Sequence, residues 1–426
     1  MSRPEPRTLA IVAVCLALVA GAVVVLSSLR PKPSITVLAN WSGDNETLFR
    51  TYVIAPFEEK YGVHVIYQGT TAESQVLKAD VEAGTPPDIV VLPGPGELAD
   101  YARMGKLQPV ENLVDQQGYS QGRQTWMSRL DVDGRGPHNY WFPLKTDLKS
   151  IVWHPSSVPG NRLSATTTAP RDWCLGMGSD ATSGWPATDW IEDILLQQSG
   201  WKVYQQWATG QRRWQDQHVE QAWRTWQQMV GAGQNAQTER ALQDDYSAAS
   251  AGVTANPPTC RLEHQASFIR TNAPWKDGKG DFVSSAQLIP HAQQSARTWE
   301  VSGDLAAVFR RTTDTADFIR YLASKDTQQI WSLQQHGFSA DTNVPVSAYG
   351  SDQTTHKLAE TLRDATAVHC FDGSDAMPPA MRDAFVQAAL TFLARPDTLD
   401  TQLGTLDAIQ RSQPKAAWLQ SVCDRT

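Results

Sequence analysis

Two tryptophans and three carboxylates fall within the stretch Ser183–Asp193, SGWPATDWIED: Trp185 and Trp190, with Asp189, Glu192 and Asp193. Indole offers a large, stiff apolar face on which the C–H groups of a pyranose ring can lie, and a carboxylate accepts hydrogen bonds from vicinal hydroxyls. Together they make a chemistry for holding neutral sugars. Pro186 suits the first turn of a helix, and Asp189 then falls near the helix N-terminus, where the dipole favours an anion. A plainer reading also fits: both rings in a core, with the acids on the wet side.

Catalysis is a further possibility for paired acids. Asp189 and Glu192 or Asp193 share a helix face at spacings of three and four, and a retaining glycosidase pair sits ~5–5.5 Å apart. Such a pair must flank the scissile bond from opposite sides, however, and neighbours on one helix cannot. No GxSxG, Ser/His/Asp, CxxC or HExxH pattern occurs, and the nine histidines are scattered, so neither another hydrolytic chemistry nor a metal site nor a cofactor is indicated.

The elements that must position these residues belong to a chain of 426 residues, 19% charged and 41% apolar, long enough for two lobes with real cores. The formal net charge is −8, and Arg3, Arg7 and Glu5 contribute +1 of it, leaving −9 on the remainder. That balance argues against nucleic acid and against a polybasic membrane patch. Sixteen tryptophans are many for this length; the excess fits a core or a carbohydrate site.

Residues 1–7 read as a cytoplasmic n-region. Thr8–Leu29 carries no charge over 22 residues, about 33 Å as a helix, enough to span a bilayer and longer than the ~7–15-residue core of a cleavable signal. A single-pass N-terminal anchor is expected, with a cleaved signal as the alternative. Either places the chain beyond the 30–33 spacer outside the cytoplasm, where disulfides are permitted. Four cysteines lie there, and four allow three pairings. Cys174–Cys260 and Cys370–Cys423 are expected, one bridge in each lobe.

Ser34–Asn40 reads as a buried strand, Asp44–Tyr61 as an amphipathic helix and Val63–Gln68 as a second strand. A helix over Ala72–Ala83, the strand Asp88–Leu92 and a helix over Glu97–Met104 follow. This alternation predicts a parallel sheet with ligands beyond the strands' carboxyl ends. Val110–Asn139 is polar and irregular. Trp141–His154 gives two apolar strands around a charged turn, a first crossing between lobes. The site stretch then runs into a helical region with Trp207, Trp214, Trp223 and Trp226, read as packing. Ser302–Phe309 returns as a strand, and five helical segments follow from Asp314 to Gln413. A chain that leaves one lobe, builds another and comes back has crossing strands that form a hinge. The first lobe is expected to comprise 34–150 plus 302–412, the second 151–301, with 413–426 as a tail.

Several segments resemble, in order, the extracytoplasmic solute-binding proteins of ABC sugar importers, in the cluster of the maltose-binding proteins and nearest the α-glucoside-binding branch. They include APFEEKYGVHVIYQGT (55–70), GTPPDIVVLPGPGELADYARMGKLQPV (84–110), WFPLKTDLKSIVW (141–153), WCLGMGSDATSGWPATDWIEDILL (173–196), CRLEHQASFI (260–269), SGDLAAVF (302–309) and FDGSDAMPP (371–379). The resemblance implies a two-lobed α/β periplasmic-binding-protein fold of type II, capture of a neutral sugar, and delivery to permease subunits by a monomer. It also implies site residues: Trp41, Ser42 and Gly43 after the first strand, Glu73 opening the second helix, Asp147 in the first crossing, and Trp185, Asp189 and Trp190 in the second lobe. Gly303 and Asp304 fall in the return loop, and Asp372 and Asp375 in the FDGSD-like loop. Two departures stand out. Ser156–Pro170 is a linker where the family has a longer helix, and Phe385 stands where the family often places a tryptophan. An anchored sensor that binds a sugar without transport remains an alternative to an importer component.

Overall fold

A computed structural model of the chain describes residues 33–425, apart from 116–117, 120–128, 133, 135, 234–235, 294–295 and 336. Thr8–Leu29 lies outside the described residues, as does much of the irregular 110–139 stretch. Among the described residues no helix is long and apolar enough to cross a membrane.

The first apolar runs form the strands expected of them: β1 (Ser34–Ala39), β2 (His64–Gly69) and β3 (Ile89–Leu92). β1 pairs in parallel with both neighbours, Ala39 opposite Gly69 and Val37 opposite Ile89. β1 and β3 are buried almost throughout, which is why they read as continuous apolar runs, whereas β2, at the sheet edge, alternates buried and exposed residues. The helical region 43–61 is not uniform. It passes through a π-helical turn at Arg50–Ile54 before resuming at Ala55–Tyr61. Pro56, with no N–H to give, sits where the normal ladder would continue, which is a local reason for the wider turn.

A small hairpin, β4 (Arg129–Leu130) and β5 (His138–Asn139), precedes β6 (Trp141–Leu148) and β7 (Ile151–Pro155). β7 enters a second sheet between β8 (Glu263–His264) and β9 (Gly280–Ser284). The chain therefore changes sheets at Lys149–Ser150. It returns through β10 (Thr298–Val308), which pairs with β11 (Val368–Phe371) at Thr298–Val301 and with β3 at Leu305–Val308. β6 runs antiparallel to β10 from Val301 to Ala307. A third crossing follows β11, where the short helix Gly373–Ala376 packs against the helix Pro95–Arg103. At Gly96 a Cβ would stand 2.0 Å from the Met377 carbonyl oxygen, so this close approach excludes any side chain there. Two lobes result, joined by three crossings.

The helices after β11 correct the expected division. They pack on the second lobe. Phe385 is fully buried among Trp207, Trp214 and Trp223, and Phe392 lies against Trp223 and Trp226. Asp407 accepts the Trp214 N–H at 2.5 Å. Apolar periodicity reports that a helix face is buried, but not which lobe buries it. The expected tail is also fixed in place: Trp418, Leu419 and Val422 are buried, Phe371 N–H donates to the Val422 carbonyl at 2.6 Å, and Arg103 donates to the Ala417 carbonyl at 2.9 Å.

Both expected disulfides are present, Cys174–Cys260 and Cys370–Cys423, at separations of 86 and 53 residues. The second ties the C-terminal segment to β11 beside the third crossing. Crosslinks of this kind restrict the unfolded chain, and losing one typically costs ~2–5 kcal/mol in small secreted domains. Replacing Cys370 and Cys423 together by alanine should lower the urea midpoint and release the C-terminal segment to limited proteolysis before the rest of the chain. Unchanged proteolysis would show that apolar packing alone holds the segment.

Candidate functional site

β6 sets the site's polar pattern. Alternation along a strand puts Lys145 and Asp147 on one face, and Lys149 follows at the crossing. Asp304, directly across on β10, is registered with Lys145. The Lys145 ammonium stands 3.1 Å from Asp147 Oδ2 and 3.8 Å from Asp304 Oδ2. Each carboxylate is also held by neutral donors. Ser267 Oγ donates to Asp147 Oδ1 at 2.7 Å; Asn40 Nδ2 donates to Asp304 Oδ1 at 2.7 Å, and Trp41 Nε1 to Asp304 Oδ2 at 3.0 Å. Burial alone would push Lys145 down, but Asp147 and Asp304 hold its ammonium above the usual lysine range.

Deeper in, Lys149 joins all three crossings. Its ammonium bonds Asp372, stands 2.8 Å from Asp189 and lies 3.9 Å from Glu300. Burial opposes the charge, yet Asp189, Asp372, Glu300 and Asp375 hold it well above the ordinary value. Oxygens of Asp189, Glu300 and Asp372 lie within 4.8 Å of one another, a spacing that could hold a cation, and the Lys149 ammonium is the cation that meets them. The surrounding acids are shifted in opposite directions. Burial, reinforced by the Glu192 charge, pushes Glu300 well up, and burial with the Asp372 charge does the same to Glu192 and Asp375. Asp372 is held low, because Lys149 and the hydrogen bonds from Asp375 and Ser374 outweigh burial.

The three carboxylates of SGWPATDWIED thus separate by helix face. On the helix Trp185–Ser199, Asp189 meets Lys149. Glu192 accepts from the N–H groups of Gly373 (2.5 Å) and Ser374 (3.1 Å), fixing the third crossing. Asp193 pairs with His264 Nε2 at 2.7 Å and Gln197 at 2.9 Å, within the second lobe. Neither Glu192 nor Asp193 faces a ligand.

The tryptophans separate as well. Trp190 is 2% exposed, stacked on His264 at 4.3 Å and edge-on to Trp173 at 4.8 Å; it is a core ring. Five residues on a helix turn about 140° at ~100° per residue, so Trp185 and Trp190 cannot share a face, whereas Trp185 and Asp189 do. Trp185 is half-buried, in contact with Tyr246 at 4.9 Å and Phe268 at 6.1 Å. These three rings form an aromatic corner. The Lys145 ammonium lies 5.5 Å over Phe268 and that of Lys149 5.9 Å over Trp185, so the corner faces both lysines.

Of the remaining expected residues, Trp41 is buried against Phe49 and Trp331 and reaches the site through its N–H alone. Ser42 and Gly43 are exposed where the next helix begins. Gly303 sits within the β6–β10 ladder opposite Thr146, so its main chain serves the sheet. Asp372 is committed to Lys149, and Asp375, half-buried, donates its N–H to Asp372. Glu73 opens its helix beyond β2, is 3% exposed, and has one oxygen, Oε2, with no hydrogen-bond partner. Asn40 Oδ1 is likewise buried and unmatched. Sequence reasoning missed Lys145, Tyr246, Phe268 and Arg270. The i, i+2 spacing of Lys145 and Asp147 on a strand was the available signal for the first; Tyr246 lies in a stretch too polar to read as site-forming. Phe385 is core, so it replaces no stacking tryptophan.

The model for bacterial extracellular solute-binding proteins matches residues 42–329. The chain belongs to that family. This solute-binding protein is 30% identical over 403 residues to the alpha-glucosides-binding periplasmic protein AglE of Rhizobium meliloti (strain 1021), covering 88% of this chain and 86% of that one. It is 29% identical over 409 residues to the osmoprotective compounds-binding protein GgtB of Synechocystis sp., covering 90% and 93%. The solved structure of the bacterial solute receptor AcbH superposes with a TM-score of 0.69 at 15% identity, over 90% of this chain and 99% of that one, and shows the shared two-lobed fold. These relatives bind solutes, and the solute-binding protein described here is a binding protein, not an enzyme. Its globular part belongs outside the cytoplasm, as the family does.

Glu73 offers a titration that reports on the site. Burial, aided by the Glu97 charge, raises its carboxyl from 4.5 to about 7. The folded protein then holds this proton more tightly than the unfolded chain does. The resulting stabilisation is complete below about pH 4.5 and disappears as pH rises through about 7. The melting temperature of the ligand-free protein should fall over that window, and Glu73→Gln should remove part of the fall. Identical pH profiles for the two proteins would refute the assignment.

Proposed function

We propose that this solute-binding protein captures a neutral, α-glucoside-like sugar or short oligosaccharide between its lobes and delivers it to the permease subunits of an ABC importer. The observation that carries the reading is an excess of acceptors beside an aromatic corner. Asp147, Asp304, Glu73 and Asn40 face the first-lobe side, and Trp185, Tyr246 and Phe268 face the second. Two of the buried acceptor atoms, on Glu73 and Asn40, have no donor. A buried acceptor left unmatched costs ~1–3 kcal/mol, and a ligand rich in hydroxyl donors removes that cost as it stacks on the rings. The name of AglE, an α-glucoside binder, points to the same class of ligand.

The walls meet across the cleft. Lys145 lies over Phe268, and the Arg270 guanidinium lies 4.6 Å over the Phe338 ring. A ligand enters when the lobes part at the crossings, and closure is favoured to the extent that it contacts both walls. The protein works as a monomer, and Thr8–Leu29 anchors it in the membrane beside the transporter, raising its effective concentration there. An anchored sensor would use the same cleft; a requirement for this protein in sugar uptake separates the two roles.

Calorimetry against α- and β-linked disaccharides tests the reading. Binding of at least one neutral α-glucoside is expected. Trp185→Ala and Asp147→Asn should each weaken it about 10- to 100-fold, equivalent to ~1.5–3 kcal/mol. Trp185 is only half-buried, so its variant should retain most of its thermal stability. Loss of fold with undiminished affinity in the folded fraction would return these residues to a structural role.

A further inference from the structure

Lys145 is fixed in place by more than its ion pairs. Its aliphatic stem crosses Gly337, where a Cβ would stand 2.5 Å from Lys145 Cγ and Cε. Two main-chain bonds lock that segment to β6: Thr146 N–H donates to the Phe338 carbonyl at 2.7 Å, and Phe338 N–H to the Thr146 carbonyl at 3.1 Å. The ammonium is therefore part of the wall. Arg270, which donates to the Ser267 carbonyl at 2.9 Å, adds a second cation whose charge interacts with Asp147.

We infer that Lys145 is the specificity-determining residue that tunes the cleft to uncharged ligands, acting as a built-in counter-ion that excludes sugars bearing a protonated amine. The inference rests on the sugar-binding reading above. An ammonium has three donors and no acceptor. Lys145 directs one toward Asp147 at 3.1 Å and lies 3.8 Å from Asp304, which leaves donor capacity for ligand oxygens. A neutral glycoside, whose hydroxyls both donate and accept, satisfies carboxylate and ammonium together. A ligand amine that approaches the same carboxylates instead meets a cation already in place and unable to move aside. With that charge removed, Asp147 and Asp304 lose their shared ion-pair partner, and a cationic ligand can take its place.

The test compares neutral and amine-bearing forms of one sugar, using maltose and trehalose and their 2-amino-2-deoxy analogues, by calorimetry near pH 6, where the amines are largely protonated. The wild-type protein should prefer the neutral form by at least about tenfold. Lys145→Met keeps the stem length and loses the charge. It should weaken neutral binding about tenfold or more and shift the neutral-to-amine preference by at least about tenfold toward the amine. Lys145→Arg, which keeps the charge, should preserve the wild-type order. Melting curves establish that each variant is folded, and Lys145→Gln serves if the methionine variant is not. A folded, charge-free variant with the wild-type preference overturns the inference while leaving sugar binding intact. Failure of the wild-type protein to bind any neutral glycoside overturns the sugar-binding reading, and the inference with it.

Discussion

Lys149 is the point on which the architecture depends. It stands where the chain first passes from one sheet to the other, and its ammonium meets Glu300 of the second crossing, Asp372 of the third and Asp189 of the second lobe. A buried ion pair adds little net stability against an apolar substitute, but removing one partner leaves uncompensated charge and costs ~3–5 kcal/mol. Such a cluster fixes which segments meet. The three crossings converge on one cation, and the neighbouring acids that outnumber it, Glu192, Glu300 and Asp375, are pushed up by burial and mutual repulsion.

The layer proposed to face the ligand is built on that frame but is chemically distinct from it. Lys149 is saturated by carboxylates. Four residues earlier, Lys145 stands between Asp147 and Asp304, each of which also accepts neutral donors and retains capacity for more. Asp189 and Trp185 belong to the same helix face, so the helix that supplies a ligand to the inner cluster also sets the first ring of the aromatic corner. The difference in saturation separates the Lys149 charge cluster from the surface proposed for recognition, although both use the same residue types.

Much of this was legible in the residues. The apolar runs at Ser34–Ala39 and Ile89–Leu92 announced a buried parallel sheet, and the two apolar strands around Lys149 announced a crossing. Asp147 and Asp304 are expected from their family positions, and the structure brings both beside Lys145. For Trp190 the structure favours the core alternative: its five-residue spacing from Trp185 puts the two rings on different faces of the helix. The C-terminal helices were assigned to the wrong partner, since amphipathicity carries no address: Phe385 and Phe392 read only as buried and proved to pack with Trp207, Trp214, Trp223 and Trp226 of the second lobe. Tyr246 and Phe268 come to Trp185 from distant segments, a juxtaposition that local pattern cannot express.

The most direct test of the central claim is a crystal structure of the protein with a neutral α-glucoside that calorimetry shows to bind. The account predicts one sugar ring against Trp185, with hydroxyls within hydrogen-bonding distance of Asp147 and Asp304, a contact to Glu73 or Asn40, and Lys149 still enclosed by Asp189, Glu300 and Asp372. A sugar seated elsewhere, or one that displaces Lys149 from its carboxylates, would contradict it.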